Sequence, residues 1–116
     1  MAQSEQAIQQ HIILACSKGG TRLFRNNCGS YQTPQGKWVK YGVANPGGSD
    51  LIGLRTVTIT PEMVGRKLAV FSAIEVKTPT GRATEQQQQF IEMVRSFGGI
   101  AGIARSVEQA QQLLGQ

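Results

Sequence analysis

Glu75 and Lys77 set a carboxylate and an ammonium two residues apart near the end of one apolar stretch. The run Ala69–Lys77 alternates with period two. Leu68, Val70, Ile74 and Val76 share one face, and Ala69, Phe71, Ala73, Glu75 and Lys77 share the other. Both faces are mostly apolar, as expected of a central strand covered on both sides. Burying a carboxylate and an ammonium without a partner or a task is costly. Taken alone, Glu-x-Lys still reads as an ordinary surface ion pair on the end of a strand. The reading changes with Asp50 behind it and Gln87 ahead. Glu5, Asp50 and Glu75 supply hard oxygen ligands suited to Mg²⁺ or Mn²⁺. Lys77 can reach an attacking water or a phosphate. A metal among such acids would ease ionisation of that water and offset charge building on a phosphorane-like transition state. That is what phosphodiester hydrolysis requires, and no Ser-His or Cys-His nucleophile pair competes with it.

These side chains need elements to carry them. Ser4 can N-cap a helix from about Glu5 to Ser17 that Gly19-Gly20 stops. Its apolar stripe is Ile8, Ile12 and Ala15, with Ile13 and Cys16 alongside. Glu5 falls on that inward face, although it serves equally as a first-turn acid favouring the helix dipole. His11 reads as a solvated or partly buried helix residue. Thr21 to Cys28 predicts a short strand, Tyr31 to Lys37 a polar loop, and Trp38 to Val43 a second strand. Asn45-Pro-Gly-Gly-Ser49 forms a turn before a strand from Leu51 to Thr60, which Pro61 breaks. That strand and the Glu75 strand, starting at Arg66 or Lys67, are expected to pair antiparallel and bring Asp50 near Glu75.

A helix follows from about Thr84 to Phe97, with Phe90, Ile91, Val94 and Phe97 apolar. The Gln86–Gln89 run is easily dismissed as solvated. At ~100° per residue, however, Gln87 lies near the centre of the stripe, while Gln88 and Gln89 point away. Gly98-Gly99 ends this helix, Ile100 to Ala104 fits a short buried strand, and Ser106-Val-Glu-Gln109 matches a capping box for a last helix ending near Leu114. No repeat or linker divides the chain, so residues 1–116 read as one domain.

Composition sets further bounds. The chain has 116 residues, 40% of them hydrophobic, and no run approaches a membrane span. With no basic-then-apolar leader at the N-terminus, a soluble, cytoplasmic protein is expected. Cys16 and Cys28 form no CxxC and have a single histidine for company. A zinc finger is therefore excluded, and each Cys reads as a small buried hydrophobe. Twelve Lys+Arg against seven Asp+Glu give a net charge of +5, which suits a polyanion such as nucleic acid. Arg22, Arg25, Asn26, Asn27, Lys37, Lys40 and Arg82 are the candidate DNA contacts. Tyr31, Trp38 and Tyr41 are interleaved with several of them. A strand pair with a solvated outer face explains any single one of these residues equally well.

In order and spacing, these pieces resemble the PD-(D/E)xK nuclease superfamily. More narrowly, the chain resembles its virus-type replication-repair nuclease domain, VRR-NUC, as found in stand-alone phage or prophage proteins. The resemblance rests on the Glu5 helix, Arg25-Asn-Asn-Cys-Gly29, Pro46-Gly-Gly-Ser-Asp50, Ile74-Glu-Val-Lys77, and Thr84-Glu-Gln-Gln87 leading to Phe90 and Gly98-Gly99. Pro46 is separated from Asp50, a departure from the superfamily's name. The resemblance implies an α/β fold with an αβββαβ core, a central mixed sheet flanked by helices and an extra C-terminal helix. It implies metal binding by Asp50, Glu75 and the Val76 carbonyl, with Glu5 assisting. Lys77 would position or activate water, and Gln87 would support the site. It further implies a homodimer that cuts four-way (Holliday) junctions, with no small-molecule cofactor and no membrane partner. Two other classes remain in view. One is a non-catalytic DNA-binding or assembly module, against which the full Asp–Glu–Lys–Gln set argues. The other is an RNA-binding protein, which would lack the paired strand aromatics of an RRM.

Overall fold

The computed structural model describes residues 3–116. The chain divides into two compact units, one ending at Arg55 and the other running Thr56–Gln116. The architecture is α/β, with three helices and small sheets among the described residues, compatible with a PD-(D/E)xK nuclease-like fold.

In the first unit, α1 (Glu5–Cys16) begins where the Ser4 hydroxyl accepts the Ala7 N–H at 3.1 Å. It packs on β1 (Thr21–Arg25), which pairs antiparallel with β4 (Leu51–Arg55) from Thr21↔Arg55 to Arg25↔Leu51. Between them in sequence lies a separate hairpin, β2 (Gly29–Gln32) against β3 (Trp38–Tyr41). The sequence suggested a loop from Tyr31 to Lys37, but the ladder takes in Tyr31 and Gln32. Backbone pairing does not depend on an apolar pattern, so polarity hid this strand. Leu54 is the buried side chain of this unit. Here α1 meets a narrow ladder, so Ile8 (43% exposed) and Ile12 (40% exposed) stay partly in solvent, and Glu5 is exposed rather than inward-facing. Both cysteines are free and exposed, correcting the expectation that they are buried. Cys16 closes α1 on its open side, and Cys28 sits in the link before β2.

The second unit is built on a βαβ connection. After the one-turn 3-10 helix Pro61–Met63, β5 (Ser72–Val76) leads through α2 (Glu85–Ser96) to β6 (Ile100–Ala104). β5 and β6 are parallel, in register from Ser72↔Ile100 to Val76↔Ala104. Parallel neighbours need a crossover, and α2 supplies it. The capping box Thr84/Gln87 starts α2. Gly98, at φ +94°, ends it in a conformation that glycine adopts without strain. Ile91 and Val94 of α2 are buried with Ala101 and Ala104 of β6. Ile91 and Val94 each contribute about 1.5–3 kcal/mol by leaving water. Gly102 lies under Leu113 of α3 (Val107–Leu114), and a Cβ there would come within 2.6 Å of that side chain. Small residues in β6 thus let α3 approach closely.

Two expectations change here. The ladder partner of β4 among the described residues is β1, and that of β5 is β6, so the predicted antiparallel pairing of the Asp50 and Glu75 strands is not among the ladders. Both strands are also shorter than expected: β4 stops at Arg55, where the β1 partner begins, and β5 starts at Ser72. Five strands rather than three or four precede α2. With the β2–β3 hairpin set aside as an insertion, the order is α1-β1-β4-β5-α2-β6, which is αβββαβ, with α3 as the extra helix.

Candidate active site

The carboxyl end of β5 gathers three of the predicted residues. Lys77 Nζ lies 3.5 Å from Glu75 Oε1, with the side chains 19% and 31% exposed respectively. Residues two apart on a strand share a face, which places the pair together. Partly open to solvent, the pair adds little to stability. Its geometry matters more. The Lys77 N–H donates to Ala104 O at 3.1 Å, which carries the parallel ladder one residue past β5 and fixes the root of the lysine.

Gln87 joins both ends of its amide to this arrangement. Its Oε1 accepts the Thr84 N–H at 2.9 Å and closes the capping box. Its Nε2 donates to Glu75 Oε1 at 3.0 Å. The helix start and the carboxylate are therefore tied by one side chain, as its place on the α2 stripe suggested. Both of these contacts to Glu75 fall on Oε1. A cleft of about 390 Å³, lined by Ala73, Glu75, Gln86, Gln87 and Phe90, opens beside them.

Arg105 was not legible as a site residue. Its Nη1 donates to Thr78 O and to Gly81 O, each at 2.6 Å. It therefore clamps the turn that follows Lys77, which Gly81 N closes onto Thr78 O at 3.1 Å. Its only sequence signal is its place before the Ser106 cap. The same neighbourhood alters half of the predicted capping box of α3: the Ser106 hydroxyl accepts the Gln109 N–H at 3.1 Å as expected, but the return bond differs. Gln109 Oε1 accepts from the Arg105 N–H at 2.7 Å, one residue short of Ser106. Arg82, just beyond the turn, is exposed.

Asp50 and Glu5 belong to the first unit. Asp50 is exposed at the mouth of β4, and Glu5 in the first turn of α1. Asn26, expected at phosphate, has its polar atoms committed to the backbone around Asp50. Nδ2 donates to Val43 O and Ser49 O, Oδ1 accepts the Val43 N–H, and the Asn26 N–H donates to Asp50 O at 2.8 Å. Gly48 passes so close to the Val43 carbonyl that a Cβ would collide with it. Arg22, Arg25 and Asn27 are exposed on or beside β1, and Lys37 and Lys40 on the hairpin.

A family model described as the VRR-NUC domain matches residues 4–108. The chain belongs to the VRR-NUC family. No curated protein matches, and no solved structure does. Membership of VRR-NUC indicates a nuclease-type, DNA-processing function, with DNA as substrate. Nucleases of the PD-(D/E)xK type usually use divalent metal ions, and the donors of this VRR-NUC chain can be tested against that. Glu75 Oε2 is a hard oxygen donor. In the register of β5, its odd-numbered residues bond to β6, as Ile100 N–Phe71 O and Lys77 N–Ala104 O show. The Val76 carbonyl therefore faces the other edge of the strand. These donors fit a hard divalent cation in kind. Among the described residues no three Asp, Glu, His or Cys side chains are gathered into one group.

Proposed function

We propose that this chain is a divalent-metal-dependent, structure-selective DNA endonuclease, acting as a homodimer on four-way junctions. The observation that carries the reading is the Glu75–Lys77–Gln87 cluster at the end of β5, inside the region that matches the VRR-NUC domain. The two units work as one nuclease domain in this reading. That the family match runs across the Arg55–Thr56 boundary supports it.

Asp50, Glu75 and the Val76 carbonyl would hold Mg²⁺ or Mn²⁺, with Glu5 assisting. When bound, the ion would supply a more acidic water and positive charge beside the scissile phosphate. The protein's own groups do the rest. Gln87 holds Glu75 Oε1 and so fixes the carboxylate in one orientation. Lys77 directs its ammonium at water or at a phosphate oxygen, and the Arg105 clamp keeps the following turn from dragging Lys77 away. Arg22, Arg25, Lys37, Lys40 and Arg82 offer charge to the DNA backbone, while Asn26 braces the Asp50 turn.

A second copy is supported by the apolar residues exposed along the segment before β5: Val57, Ile59, Val64, Leu68 and Val70. A two-fold dimer would present two identical sites to the two related strands of a junction.

The test is cleavage of labelled four-way junction, flap and plain duplex in Mg²⁺ and Mn²⁺, beside the Asp50→Ala and Lys77→Ala variants. Symmetric nicking of the junction alone, lost in Asp50→Ala, is the expected result. Lys77→Ala should bind DNA normally and cut at least about 10²-fold more slowly. Cutting of flaps or duplex alike would remove the junction preference. Unimpaired cutting by Lys77→Ala would sink the role given to that residue.

A further inference from the structure

Trp38 is the single tryptophan of the chain, and it stands 66% exposed on the β2–β3 hairpin. Its face of the ladder carries Ser30, Gln32 and Lys40, by the register Ser30↔Lys40 and Gln32↔Trp38. The indole has no apolar companion on that face. Tyr31 and Tyr41 lie on the opposite face, with ring centroids 6.4 Å apart. Trp38 therefore does not serve the packing of its own hairpin.

The hairpin holds the ring on a firm mount. At the tip, Thr33 N–H donates to Lys37 O at 2.7 Å, Gly36 N–H to Thr33 O at 2.8 Å, and Lys37 N–H to Thr33 Oγ1 at 3.0 Å. Gln32 Nε2 adds a bond to Gly36 O at 3.1 Å, and Gly36 takes the φ of +83° that this turn needs. At the base, Asn45 Nδ2 donates to Gly29 O and Tyr41 O, each at 2.8 Å. A backbone ordered in this way loses little freedom when a ligand stacks on the ring that it carries. The surroundings select the ligand's charge. From Gln6 to Ser49 the chain carries Lys18, Arg22, Arg25, Lys37 and Lys40, and no Asp or Glu. Lys40 shares the indole's face of the ladder, and Lys37 precedes Trp38 at the tip.

We infer that the β2–β3 hairpin is a stacking arm for an unpaired base, with Trp38 taking the base and Lys37 and Lys40 the adjoining phosphates. A paired base inside duplex DNA has both faces covered by its neighbours, so only a single-stranded, gapped or branched region offers a face to the indole. The arm therefore gives the nuclease its preference for interrupted DNA. The inference rests on the DNA-endonuclease reading for its ligand, and not on the active-site assignments.

The test uses the full chain carrying Lys77→Ala, and electrophoresis after each titration checks that the DNA is uncut. Because Trp38 is the sole indole, emission excited beyond the tyrosine band reports this position alone. Titration with a duplex holding a short thymidine gap should quench it strongly, and the matched unbroken duplex should quench it little. Binding is followed in parallel by anisotropy of labelled DNA. Trp38→Ala should weaken affinity for gapped DNA by roughly tenfold while leaving duplex affinity within about twofold, and Trp38→Phe should recover most of the loss. Saturated binding of gapped DNA with unchanged emission would overturn the inference, as would equal loss on both DNAs in Trp38→Ala. Emission that changes with protein concentration alone, together with a dimer in sedimentation, would assign the face to a second copy and overturn it too. Quenching by gapped DNA from a wild-type protein that cuts nothing would uphold the arm and reject the endonuclease reading.

Discussion

Gln87→Glu separates the two tasks of one side chain. The variant keeps an oxygen that can accept the Thr84 N–H, so the capping box survives. The Nε2 donor to Glu75, now 3.0 Å away, becomes a second carboxylate oxygen. Two unit charges at that separation repel by about 1.4 kcal/mol at the dielectric of water and about 5.5 kcal/mol at an effective dielectric of 20. The Glu75 side chain is 31% exposed and the new carboxylate can swing toward solvent, so the lower end applies. A destabilisation of about 1–2 kcal/mol is expected, measured by urea unfolding in metal-free, low-salt buffer. High salt should recover part of it, because the site is open enough for screening. Cleavage should fall with it, as Glu75 turns away from its present orientation. Gln87→Glu with wild-type stability at low salt, and no response to salt, would refute the donor contact and the positioning role drawn from it.

Other perturbations read other parts of the structure. Arg105→Gln should release the Thr78 and Gly81 carbonyls; hydrogen exchange at the Gly81 amide should quicken, and kcat should fall more than KM rises. A Cβ at Gly48 meets the Val43 carbonyl, so Gly48→Ala should cost about 1–3 kcal/mol in thermal unfolding and disrupt cleavage through Asp50, with α2 and α3 intact by circular dichroism. Lys40→Ala should weaken DNA binding across sequences and lower the slope of log K against log salt by about 1, and an unchanged slope would exclude it as a phosphate contact.

Much of the second unit was legible because its signals are local. The Thr84 cap, the apolar stripe of α2, the Gly98-Gly99 stop and the small-residue strand β6 each lie within a dozen residues, and together they put Gln87 on the side that meets Glu75. Other features depended on partners distant in sequence. Nothing around Tyr31 and Gln32 marks a strand until Trp38–Tyr41 pairs with them. Asn26 resembles a phosphate ligand until the 43–50 turn folds onto its amide. Arg105 looks like any surface cation until the 78–81 turn presents two carbonyls to it.

The sequence alone determined the residue types, their order and the local periodicities. Those specify helices, strands and a candidate set of Glu5, Asp50, Glu75, Lys77 and Gln87. Tertiary structure decided which strand pairs with which inside each unit, an antiparallel β1–β4 ladder in the first and a parallel β5–β6 ladder in the second. It also decided which polar atoms are free to act and which are held by backbone groups. The reason is physical: side-chain periodicity follows from neighbours a few residues away, whereas a hydrogen-bond partner is fixed only when distant segments meet.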